Sequence, residues 1–76
     1  MNFAKKCREL RMKKAVTQEQ MATALNLSSQ AISKWENGVT LPDITLLPEL
    51  SVYFGVTIDE LFDITDEKHL TRIQNM

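Results

Sequence analysis

Ser29, Gln30, Ser33 and Lys34 lie within six consecutive residues and carry hydroxyl, amide and ammonium groups. On a helix with Ser29 as origin, Ser33, Gln30 and Lys34 fall at about 40°, 100° and 140°, so the four share one face. Ala31, Trp35 and Ile32 fall at about 200°, 240° and 300°, which makes the opposite face apolar. A helix that only covered a core would more often turn long charged side chains outward. This face offers two hydroxyls, an amide and one lysine. Such groups match base edges in a major groove: an amide suits adenine, an ammonium suits guanine and a hydroxyl suits either. Trp35, on the apolar side, is expected in the core and not stacked on a base. No metal or other cofactor is expected, because His69 is the sole histidine and Cys7 the sole cysteine. Asp59, Glu60 and Asp63 cluster, but a capping role accounts for Glu60. With no nucleophile–base set and no catalytic carboxylate pair, the expectation is a binding module and not an enzyme.

The elements that would hold this face announce themselves by their caps. Thr17 is an N-cap, and Gln20 three residues on completes a capping box. Val16 and Met21 can form the hydrophobic staple, and Met21, Ala22 and Leu25 make the buried stripe of a second helix. Asn26 tolerates the left-handed conformation that ends helices. Ser28 caps the third helix, expected over residues 28–37, with Leu27 and Ile32 as its staple and Gly38 as its stop. Only Asn26 and Leu27 separate the two helices, so they must cross steeply, which is helix-turn-helix geometry over residues 17–38. Ala22 supplies the small side chain that close crossing needs.

Around this pair, Phe3, Cys7 and Leu10 recur at helical spacing, so a first helix is expected over 2–14. Cys7 on that stripe reads as a buried small hydrophobe. Leu46, Leu47, Leu50, Tyr53 and Phe54 lie along one side of a fourth helix between Asp43 and Phe54. Pro48 is tolerated only near a first turn, which puts the regular start at Asp43 to Thr45. Gly55 ends that helix, and Thr57 with Glu60 boxes a short fifth helix over 57–62. Leu70 and Ile73 suggest a sixth from about residue 66. The fold expected is all-α: a five-helix bundle over 1–63, with a helical tail over 64–76.

Seventy-six residues allow one domain with one small core. No apolar run approaches the length of a membrane span, no signal peptide is read at the start, and a lone cysteine fits a reducing cytoplasm. A net charge of −1 looks wrong for a nucleic-acid binder, but its distribution does not. Residues 1–38 carry +4, from Lys5, Lys6, Arg8, Arg11, Lys13, Lys14 and Lys34 against Glu9, Glu19 and Glu36. Residues 39–76 carry −5, from Lys68 and Arg72 against Asp43, Glu49, Asp59, Glu60, Asp63, Asp66 and Glu67. Binding answers to the local field more than to the total.

Residues 8–62 resemble the phage-repressor type of helix-turn-helix protein (Cro-like, the XRE family). The resemblance rests on Thr17-Gln18-Glu19-Gln20-Met21-Ala22, on Ser33-Lys34-Trp35-Glu36-Asn37-Gly38, and on the run Tyr53 to Leu61. It implies a compact five-helix bundle with the third helix in the major groove of double-stranded DNA. It also implies base contacts at Ser29, Gln30, Ser33 and Lys34, and phosphate contacts at Gln18, Ser28 and Asn37. Helix N-termini suit anions, which favours Gln18 and Ser28 independently, though capping explains Ser28 equally well. Asn26 stands where the family commonly has glycine, and asparagine adopts the same backbone.

The function this implies is transcription regulation, repression above all, by a homodimer on a two-fold site, with Leu70 and Ile73 as interface candidates. A protein-interaction module, such as an antitoxin or adaptor, is the alternative; a docking face would be more apolar than this one. The tail reaches Met76 without a stop signal, which suggests a fraying end or a fragment of a longer protein. A final expectation concerns Glu36, an acid in the last turn of the third helix, where the helix dipole disfavours it. Arg11 follows the core residue Leu10, and the family pairs an arginine at that place with this glutamate. A partly buried Arg11–Glu36 salt bridge is therefore expected.

Overall fold

A computed structural model describes residues 2–62. Five α-helices follow one another: α1 Phe3–Lys13, α2 Gln18–Ala24, α3 Ser29–Glu36, α4 Leu47–Phe54 and α5 Ile58–Leu61, with a 3-10 turn at Ile44–Leu46 before α4. The described residues contain no strand, so they form an all-α fold. The sixth helix expected from residue 66, and the tail over 64–76, lie outside the described residues.

Every helix sends apolar side chains to one core. Phe3 and Cys7 come from α1, Met21 and Ala22 from α2, Ile32 and Trp35 from α3, Leu50 from α4 and Leu61 from α5. Met21, Ile32, Leu50 and Leu61 are wholly buried, and each contributes about 1.5–3 kcal/mol relative to exposure. Phe3 meets Trp35 edge-on, with ring centroids 6.2 Å apart, and stacks obliquely on Phe62 at 5.3 Å. The helix-turn-helix pair α2 and α3 pack together, with buried Ala22 on the α2 side, and α1 packs on both α3 and α5.

The joints repeat one design. Ala15, Asn26, Gly38 and Gly55 take positive φ of 61°, 59°, 74° and 69° just past the ends of α1 to α4. After each, an apolar residue donates its backbone N–H five residues back: Val16 to Arg11, Leu27 to Ala22, Val39 to Lys34 and Val56 to Ser51. These are Schellman closures, which satisfy carbonyls the helix would leave open. At three of the four joints the next residue is the N-cap of the following helix, namely Thr17, Ser28 and Thr57. Both expected capping boxes, Thr17–Gln20 and Thr57–Glu60, are closed from both sides.

The fourth helix begins later than expected. Asp43 caps a 3-10 turn, accepting from the backbone N–H of Thr45 at 2.9 Å, and the regular helix opens at Leu47 with Pro48 in its first turn. Proline has no N–H to return to Ile44, so the preceding turn tightens, with Leu46 bonding to Asp43 and Leu47 to Ile44. The other ends move by a residue: α1 starts at Phe3 behind its cap Asn2, and Phe62 is the cap, not the last turn, of α5.

Candidate nucleic-acid interface

The rotation of α3 is fixed by its buried side. Ile32 is fully buried and Trp35 retains 4 % of its exposure, so the polar face must turn outward. Ser29, Gln30 and Lys34 are exposed there, and Ser33 is half-buried beside them. The start of α3 is set by Ser28, whose Oγ accepts from the N–H of Ala31 at 3.2 Å. Its end is set by Gly38, whose φ of 74° suits a residue without a Cβ. Asn37 is exposed at that end, and its side-chain amide donates to Ser33 Oγ at 3.2 Å. The hydroxyl of Ser33 is thereby tied to the amide of Asn37.

Beneath this face lies an ion pair. Arg11 grips Glu36 with two nitrogens, Nε to Oε2 at 2.7 Å and Nη2 to Oε1 at 3.1 Å. Its third nitrogen, Nη1, donates to the carbonyl of Val16 at 2.9 Å. One guanidinium thus joins α1, the α1–α2 joint and the last turn of α3. The Glu36 side chain is fully buried and Arg11 keeps 16 % exposure. Burial pushes the Glu36 carboxyl up. Hydrogen bonds from Arg11 and Gln18 and the charges of Arg11 and Arg8 outweigh that and hold it below the usual carboxylate range.

Two further residues join this network, and the sequence expectation places neither there. The Gln18 side-chain amide donates to Glu36 Oε1 at 3.2 Å, so it is oriented from below by the same carboxylate. The expectation for Gln18 concerned a phosphate only, and nothing in its spacing from Glu36 points to this bond. Arg8 approaches the same oxygen, Nε to Oε1 at 3.6 Å, with 52 % of its side chain exposed. Here a signal existed: Arg8 and Arg11 are three apart on one helix and so share a face.

A family model for a helix-turn-helix domain matches residues 8–61. The chain belongs to that family, of the phage-repressor type. It is 49 % identical, over 61 residues, to the HTH-type transcriptional activator BcrR of Enterococcus faecalis, covering 80 % of this chain and 30 % of that protein. It is 28 % identical to the cryptic phage CTXphi transcriptional repressor RstR of Vibrio cholerae, covering 95 % of this chain and 68 % of that one. The chain therefore spans under a third of the Enterococcus protein. Among the described residues no helix is long and apolar enough to cross a membrane.

Proposed function

We propose that this chain binds double-stranded DNA sequence-specifically, with α3 in the major groove, and so regulates transcription. The observation that carries the reading is the exposed polar face of α3, held outward by the burial of Ile32 and Trp35. In this reading Ser29, Gln30, Ser33 and Lys34 meet base edges, while Gln18, Ser28 and Asn37 meet phosphates that set the register. Asn37 and Ser33, hydrogen-bonded to each other, link the two sets. The working form is a homodimer on a two-fold site in the cytoplasm, and its action is repression. Occupying a promoter suffices to repress, whereas activation requires a further contact with the transcription machinery.

Titration of matched and mismatched duplexes tests the assignment of α3. Gln30→Ala or Lys34→Ala should relax preference at particular base pairs, costing about 1–3 kcal/mol where the contact is bidentate. Gln18→Ala should weaken all sequences alike. Folded Gln30→Ala and Lys34→Ala variants with unchanged affinity and preference would remove α3 as the reader.

A second reading is a protein-interaction module. On its side stands an open, mostly apolar groove of about 470 Å³ lined by Ala24, Leu25, Pro48, Glu49, Val52 and Tyr53. Protein docking of that kind would show little salt dependence, whereas DNA binding must weaken steeply with salt.

A further inference from the structure

We propose that Arg8 is a DNA-phosphate contact, held ready beside Gln18 by the buried carboxylate of Glu36. The proposal rests on the DNA-binding reading above. Three cationic or amide groups converge on Glu36, and they are not equivalent. Arg11 spends all three guanidinium nitrogens inside the protein, two on Glu36 and one on the Val16 carbonyl, and is mostly buried. Its charge and that of Glu36 cancel. Arg8 is different. Its Nε stands 3.6 Å from Oε1, a charge contact longer than a hydrogen bond, and half of its side chain faces solvent. Two guanidinium groups against one carboxylate leave one surplus positive charge, and it is the exposed one.

The position of that surplus charge gives it a use. Gln18 Nε2 is 3.2 Å from the same Oε1 that Arg8 approaches, so Arg8 and Gln18 are neighbours across one oxygen atom. Glu36 precedes Asn37, another of the residues assigned to the DNA backbone. Arg8 thus joins a donor cluster drawn from α1, the start of α2 and the end of α3. A guanidinium there can take a phosphate in two parallel hydrogen bonds. Glu36 restrains the long side chain beforehand, which reduces the ordering cost on binding. Arg8 lies on α1, outside the α3 face, so its contribution is to affinity for any sequence and not to base preference.

The test is the salt dependence of binding to a 20-base-pair duplex of random sequence, measured for the wild type, Arg8→Gln and Arg8→Lys. Each phosphate neutralised adds about 0.9 to the magnitude of the slope of log K against log salt. Arg8→Gln should lower that magnitude by about 0.9 on any duplex. Arg8→Lys should restore it. Thermal unfolding should barely change in either variant, because Arg11 still holds Glu36. An Arg8→Gln slope equal to a steep wild-type slope would overturn the role of Arg8 and leave the DNA reading intact. A wild type with no salt-sensitive duplex binding would overturn the DNA reading and this inference with it.

Discussion

Glu36 is the residue on which the local arrangement turns. A carboxylate in the last turn of a helix, facing the side where phosphates are expected, is unfavourable by itself. Arg11 reverses that with a two-point grip. Removing Arg11 leaves a buried charge whose desolvation Gln18 and Arg8 offset only in part. Arg11→Ala should therefore cost about 3–5 kcal/mol, or about 12–40 °C in Tm for a domain this small, read by thermal unfolding. The pH dependence follows from the lowered carboxyl. Because the folded state holds Glu36 below its unfolded value, it binds fewer protons than the unfolded chain in the acid range. The stabilisation is complete above about pH 4.3 and is lost as pH falls through the lowered folded value. Urea midpoints between neutral and acid pH should show this limb in the wild type and a flatter one in Glu36→Gln. Cys7 gives a third residue-scale prediction. Burial first, and the Glu36 charge second, push its thiol up to about 12, against a weaker pull from Arg11. A thiol reagent at neutral pH should label it only when the domain unfolds. The exposed face of α3 was legible because its periodicity is simple. The Gln18–Glu36 bond was not, because it joins two helices and no local pattern encodes it.

At the scale of elements, the sequence was most readable where side chains satisfy the backbone. Thr17, Ser28 and Thr57 start their helices as expected, and Asn26, Gly38 and Gly55 stop theirs. Ala15 was not readable. It takes a φ of 61° with no glycine or asparagine to mark it, and the Val16 and Ala15 backbone bonds close the turn regardless. The core contacts of α1 and α2 impose a conformation the residue disfavours by about 1–2 kcal/mol. Ala15→Gly should relieve this, offset in part by a more flexible unfolded chain. The net expectation is a gain of about 0.5–1 kcal/mol and a few degrees in Tm, with DNA affinity unchanged. The late start of α4 is the opposite lesson. Pro48 marks a first turn, but no local pattern shows its effect on the turn before it: the missing N–H tightens Ile44–Leu46 into a 3-10 turn.

For the whole molecule, a chain of net charge −1 binds DNA by concentrating its positive charge in residues 1–38, which hold α1, α2 and α3. One recognition helix spans only a few base pairs, so useful specificity calls for two copies on one site. Half-sites should then be inverted and about 34 Å, one helical turn, apart. Leu70 and Ile73, the interface candidates, lie outside the described residues. The most direct measurement is selection of bound duplexes from a random-sequence pool, followed by salt titration of the winning site. The expected result is an inverted repeat, two chains per site, and an affinity that falls steeply between 50 and 200 mM salt, in line with several neutralised phosphates, by roughly 10³-fold for about six contacts. No enriched sequence, or binding indifferent to salt, would contradict it.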